Sequence, residues 1–249
     1  MIRAIIFDLD GTLVQTEQLK ALSYARAAKE LCPECATEDE IMEGFKDVVG
    51  RPRQEVAQSL VERFGLERAA RGRMAKLGVN TPWQAFVQIR LDIYEHMLSN
   101  PEIVRKSQLP HAIALLHEVR RRDFKTALTT TSHAKEACQV LNVLGITNQF
   151  DFIATADDVE RTKPNPEVYL LVTSELGISP SECLAIEDSP PGVQAALAAG
   201  VGCIAVTNEF TRESIHAAHL LDEKWIVDDA GHLADVVDRM IEERMQDSA

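Results

Sequence analysis

The sequence predicts an α/β protein, a central parallel sheet with helices on both faces, interrupted early by an inserted helical segment. Three observations carry this. Short apolar runs alternate with segments of helical periodicity, the pattern of a parallel sheet covered on both sides. Most of those runs are continuous rather than alternating, as strands buried on both faces require. Residues 11 to 125 separate the first run from the second, far more than a crossover needs, so the gap must hold a domain.

The first strand spans residues 4–10 and ends in Asp8 and Asp10, directly ahead of Gly11-Thr12. From Gln15 to Ser99, "ALSYARAAKEL", "RQEVAQSLVERFGL" and "WQAFVQIRLDIYEHML" place apolar residues three and four apart, which is helical spacing. Pro52, Pro82 and Pro101 punctuate those helices near their starts or ends. Residues 15–106 are therefore assigned to a helical cap domain, and residues 1–14 with 107–249 to a Rossmann-like core. In the core, "HAIALLHEVRRR" leads into a strand over 126–131, and "AKEACQVLNVLGI" into one over 150–157. "PEVYLLVTSELGI" then leads into a strand over 183–188, "PGVQAALAAGV" into one over 203–207, and a short strand over 225–227 closes the series.

A formal charge of −13 over 249 residues excludes nucleic acid and anionic membranes as partners, because those surfaces need many Lys and Arg contacts. A small anionic substrate is compatible if a metal or local cations offset the field. No apolar run approaches the roughly 20 residues needed to cross a bilayer, and no secretory pattern opens the chain. The expectation is a cytoplasmic protein, a monomer or weak homodimer. Five cysteines, an odd number without a spacing framework, predict no disulfides. Cys32 and Cys35 form a C-x-x-C, but no second ligand pair follows for a structural zinc, so they are expected as free thiols at a turn around Pro33.

In an open parallel sheet, ligands bind outside the carboxyl ends of the strands where strand order reverses. The residues at those ends are Asp8 and Asp10, Thr129 to Ser132, and Glu187 with Asp188, while the third strand leads towards Lys163. Carboxylates at i and i+2 on a strand point the same way and repel unless a cation or a shared proton intervenes. Four acids in one crevice call for a hard cation, and Mg²⁺, which takes oxygen ligands and keeps waters that a phosphate can replace, suits them. Lys163 can hold a phosphate oxygen, and Thr130 or a neighbouring hydroxyl can donate to the same oxygens.

"DLDGT", "ALTTTS", "KPNPEVY" and "IEDSPPGVQAALAAG", in this order, resemble the four motifs of the haloacid dehalogenase-like superfamily, in its β-phosphoglucomutase and phosphoglycolate phosphatase-like branch with a helical cap. The resemblance implies Asp8 as nucleophile, forming an aspartyl-phosphate, and Asp10 as general acid and then base, its backbone carbonyl on Mg²⁺. It implies Thr130 and Lys163 on the transferring phosphoryl group, and Asp188 with Glu187 on the metal. Backbone N–H groups near Gly11 would complete the cradle. Dehalogenases of the superfamily lack an acid at the place of Asp10, which argues against that chemistry. In sugar-phosphate members an arginine near the place of Arg53 grips a distal phosphate. Gln15 and Lys20 depart from the mutase pattern, so a Mg²⁺-dependent phosphatase of a small phosphorylated metabolite is expected ahead of a phosphosugar mutase or a catalytically silent binding module.

Overall fold

The structure, a computed structural model, describes residues 1–49, 51 and 53–246. Pro52, read above as a helix boundary, lies outside the described residues. The chain forms two compact units, Met1–Gln15 with Val104–Ala249, and Thr16–Ile103.

The first unit is built on a six-stranded, wholly parallel sheet of β1 (Ala4–Asp8), β2 (Lys125–Thr129), β3 (Phe152–Ala154), β4 (Cys183–Glu187), β5 (Gly202–Val206) and β6 (Ile226–Val227). The spatial order is β3-β2-β1-β4-β5-β6. The chain thus runs outward from β1 to β3 and returns on the other side of β1 at β4, which puts the reversal beside β1. Every residue of β1, β4 and β5 is buried, the reason these runs carry no polar alternation. All six runs read from the sequence are strands, most with ends trimmed, while β2 and β5 begin one residue earlier than read. The first stops at Asp8 because Gly11 turns the chain at φ +82°, leaving Asp10 only an isolated bridge to Val14.

The helices, in chain order, are α1 (Thr16–Leu31), α2 (Glu38–Lys46), α3 (Arg53–Arg63), α4 (Glu67–Leu77), α5 (Pro82–Leu98), α6 (Pro101–Lys106), α7 (Pro110–Arg121), α8 (Ala134–Leu144), α9 (Glu167–Leu176), α10 (Pro190–Ala198), α11 (Arg212–Ala218) and α12 (Leu233–Gln246). In the sheet unit, α7 and α12 pack together on one face, and α9 and α10 on the other. Among the described residues, no helix is long and apolar enough to cross a membrane.

The second unit comprises α1 to α5 and packs around Tyr24, whose ring centroid lies 5.6 Å from those of Phe45 and Phe86. The buried Arg90 guanidinium lies 5.0 Å from the Tyr24 ring centroid and 4.4 Å from that of Tyr94. Two helices of this unit, α2 and α4, lie within the segment read as helical but outside its three periodic stretches. In α4 only Ala70 is buried, so no apolar stripe marks it. In α2 the signal was the capping box between Thr37 and Glu40 rather than periodicity. The free-thiol expectation also needs correction: Cys32 and Cys35 are disulfide-bonded. The turn between α1 and α2 brings their Cα atoms to 5.4 Å, within disulfide reach, a local pairing that a count of cysteines does not reveal.

Ile6 is fully buried at the centre of β1, in the core cluster that α9 and α10 complete. Ile6→Ala should cost about 3 kcal/mol of unfolding free energy, the middle of the range for emptying such a site, read from the shift of the urea midpoint.

Candidate active site

The buried run Ile5-Ile6-Phe7 carries β1 through the middle of the sheet and delivers Asp8 to its carboxyl edge, level with Thr129 of β2. On the other side Phe7 pairs with Ile186, so Glu187 and Asp188 emerge at the same edge. Asp8, Asp10, Glu187 and Asp188 are all buried there.

Lys163, from the segment between β3 and α9, enters this group. Its Nζ donates to Asp8 Oδ1 at 2.7 Å, to Glu187 Oε1 at 2.7 Å and to the Thr129 carbonyl at 3.0 Å. The fully buried Tyr169, six residues further on, donates its hydroxyl to the same Glu187 Oε1. Asp10 is held differently, by neutral donors. Its Oδ2 accepts from Ser132 Oγ at 2.6 Å and from Thr130 Oγ1 at 3.1 Å. Thr130 Oγ1 itself accepts from the Ser132 amide at 3.0 Å, which fixes the two hydroxyls as a pair. Asp188 Oδ2 accepts from Asn208 Nδ2 at 3.0 Å.

Two glycines make room for these carboxylates. A Cβ on Gly11 would lie 1.9 Å from Asp188 Oδ2, and one on Gly192 would lie 1.8 Å from Glu187 Oε2. What Gly11 contributes is this space and a positive φ. Its own N–H, expected to face a phosphate, donates instead to the Val14 carbonyl at 2.7 Å.

Carboxylate oxygens of Asp8, Glu187 and Asp188 lie within 4.8 Å of one another, and buried Glu187 Oε2 has no hydrogen-bond partner among the described residues. Such an oxygen-only cluster fits a hard divalent cation. Electrostatics point the same way. Burial pushes the Asp8 carboxyl up to about 8; Lys163 pulls it back, and Glu187 and Asp10 push it further. Burial alone would lower the pKa of Lys163, but the Asp8 and Glu187 carboxylates raise it above the ordinary lysine value, so its ammonium stays charged. The Lys163 ammonium is shared between Asp8 and Glu187, and a divalent ion would add positive charge to this group of acids.

Of the residues singled out in the sequence, Asp8, Asp10, Gly11, Thr130, Lys163, Glu187 and Asp188 come together in the sheet unit. Arg53 belongs to the helical unit, where it is the exposed first residue of α3. Sequence reasoning missed Tyr169 and Asn208. Tyr169 reads as one more apolar position of α9. Asn208 stands just past β5, where the strand-end rule, applied to that strand too, would have found it. Ser132, at the end of the same strand-end stretch, commits its hydroxyl to Asp10, and the N-cap of α8 is His133.

The family profile described as haloacid dehalogenase-like hydrolase matches residues 5–206. The chain is 44% identical over 102 residues to protein YhcW of Bacillus subtilis, a match covering 41% of this chain and 46% of that protein. It is 29% identical to the phosphorylated carbohydrates phosphatase of Thermotoga maritima, over 80% of this chain and 82% of that one. Among solved structures, the β-phosphoglucomutase of Clostridium difficile superposes with a TM-score of 0.67 at 24% identity, covering 100% of this chain and 99% of that one, a likeness of fold.

Because the folded-state pKa of Asp8 lies near 8 against an ordinary 3.8, native protein binds the extra proton across that window. Metal-free stability should therefore fall as pH rises through it, most clearly at its upper end, where carboxylates with lowered pKa values no longer titrate. Thermal melts of the metal-free protein should show this slope, Asp8→Asn should flatten it, and Mg²⁺ should raise the melting temperature most at high pH. A slope that Asp8→Asn leaves unchanged would contradict the assignment.

Proposed function

We propose that this chain, which belongs to the haloacid dehalogenase-like hydrolase family and is a phosphoric monoester hydrolase, splits a small phosphorylated metabolite of sugar-phosphate or phosphoglycolate type, with Mg²⁺ as cofactor and Asp8 as nucleophile. The observation that carries the reading is the division of labour between Asp8 and Asp10. The first is buried against the Lys163 ammonium and two further acids; the second is held two residues away by neutral hydroxyls. The likeness to a phosphatase of phosphorylated carbohydrates supports the substrate class.

Asp8 attacks phosphorus, forming an Oδ–P bond as the ester P–O bond breaks. Asp10 gives its proton to the departing alkoxide, then takes one from the water that opens the aspartyl-phosphate. The Ser132 hydroxyl keeps the Asp10 carboxyl aimed between these two transfers, which lets the single proton of the Thr130 hydroxyl turn from Asp10 to the phosphoryl group. Lys163 and Thr130 bind the transferring phosphoryl oxygens, and Lys163 orients Asp8 for in-line attack. Glu187, fixed by Tyr169, holds Lys163 in place; Asn208 holds Asp188. Asp8, Glu187 and Asp188, with the Asp10 carbonyl, would hold a divalent ion, which would supply charge to offset carboxylates and phosphoryl oxygens together. Positioning and charge stabilisation of this kind are most of what phosphoryl transfer asks of a protein.

Hydrolysis of p-nitrophenyl phosphate should require Mg²⁺ and disappear in a chelator. Asp8→Asn should abolish turnover, and Asp10→Asn should lower it by about 10²–10⁴-fold with poor leaving groups, both folds staying intact by circular dichroism. No hydrolysis with any metal would favour a silent binding module, and near-normal hydrolysis by Asp8→Asn would end the assignment of Asp8 as nucleophile. Incubation of β-glucose 1-phosphate with a bisphosphate primer should release free glucose; glucose 6-phosphate would establish the mutase instead. Arg53→Ala should raise KM for substrates with a second anionic group and leave p-nitrophenyl phosphate hydrolysis unchanged, as steady-state kinetics will read.

A further inference from the structure

We propose that Cys32 and Cys35, in the turn between α1 and α2 of the helical unit, are a reversible thiol–disulfide exchange site for low-molecular-weight thiols. The hydrolytic reaction makes no use of this pair, and the proposal does not rest on it.

A disulfide stabilises mainly by closing a long loop in the unfolded chain, and this one spans a sequence separation of 3, where that effect is small. The turn is also secured without it. The Cys35 amide donates to the Cys32 carbonyl at 3.2 Å. Lys29 Nζ donates to the Pro33 carbonyl and, at 3.2 Å, to that of Ala36. Thr37 and Glu40 then start α2 with a reciprocal capping box. A staple would be redundant here. What these bonds do is keep the two cysteines adjacent, with Cα atoms at 5.4 Å, whether or not the sulfurs are joined. A reduced pair held in this way is poised to close again, since the second thiol attacks intramolecularly. Cys35 is exposed while Cys32 is half-buried, which sets the point of attack.

The other cysteines lack this chemistry. Burial pushes the Cys183 thiol up to about 12 and raises that of Cys203 well above its ordinary value. Both therefore stay protonated and shielded. Cys138 is exposed and free, a marker of simple accessibility.

In the exchange, an incoming thiolate attacks Cys35 Sγ, and the Cys35–Cys32 bond breaks as the new S–S bond forms. Cys32 leaves as a thiolate and takes up a proton. A second thiolate attacks the incoming sulfur of this mixed disulfide, releasing Cys35 and the oxidised small-molecule disulfide. The protein gains two electrons and two protons, and the two small thiols lose them.

The test uses the full chain, equilibrated with reduced and oxidised glutathione in varied ratio, acid-quenched, alkylated with N-ethylmaleimide and read by peptide mass. The peptide bearing Cys32 and Cys35 should pass from no label to two labels in one reversible transition. Cys138 should be labelled throughout, and Cys183 and Cys203 only after unfolding. Cys32→Ser should take up one glutathionyl group at Cys35 from oxidised glutathione, and Cys35→Ser should react several-fold more slowly at the half-buried Cys32. Failure of excess reduced glutathione to open the native pair, with opening only after unfolding, would make the disulfide a fixed staple and overturn the proposal. So would a pair that stays doubly labelled in excess oxidised glutathione.

Discussion

The ammonium of Lys163 is shared between two buried carboxylates, Asp8 and Glu187, at 2.7 Å from each, and the rest of the site is arranged around that shared pairing. Burying a charge is costly unless it is paired and hydrogen-bonded. Here one cation serves two acids, while Asp188 and Asp10 are held by neutral donors from Asn208, Ser132 and Thr130. Burial therefore outweighs Lys163 in setting the Asp8 carboxyl, which rises to about 8. A divalent ion among Asp8, Glu187 and Asp188 is the simplest way to restore the balance. The backbone yields space to the same cluster, since the missing Cβ atoms of Gly11 and Gly192 leave the volume that the Asp188 and Glu187 carboxylates fill.

The same arrangement explains how two aspartates of one sequence stretch come to differ. Their side chains leave the end of β1 two residues apart, yet one meets an ammonium and two acids and the other meets hydroxyls. A buried carboxylate that Lys163 and a bound divalent ion would together hold ionised is suited to attack; one that accepts from hydroxyls is suited to gain and lose a proton. The difference is set by neighbours from β2, β4 and the segment before α9, not by anything in the first strand itself. It also gives Tyr169 a reason to be a tyrosine, because its hydroxyl keeps Glu187 turned towards Lys163 from inside the α9 face of the core.

Legibility in the sequence followed burial. The central strands were readable because they are buried on both faces and so written as apolar runs; Ile5 to Phe7 and Leu184 to Ile186 have no exposure to encode. The acids and Lys163 were readable because polar residues at the ends of such runs stand out. What stayed hidden depends on contacts between distant segments or within single turns. Tyr169 counts as hydrophobic until its hydroxyl is seen on Glu187, and Ser132 looks like a cap until it is seen on Asp10. Helix α4 lacks an apolar stripe, because little of it is buried. The Cys32–Cys35 bond came from the geometry of one turn, which a cysteine count cannot supply.

The most direct measurement is a crystal structure of the protein with Mg²⁺ and beryllium fluoride, which mimics a phosphoryl group on a carboxylate. The account predicts beryllium bonded to an Asp8 carboxylate oxygen and Mg²⁺ at roughly 2.1 Å from oxygens of Asp8 and Asp188, with Lys163 against the fluorides. Beryllium on Asp10, or a metal bound away from the Asp8 and Asp188 carboxylates, would contradict it.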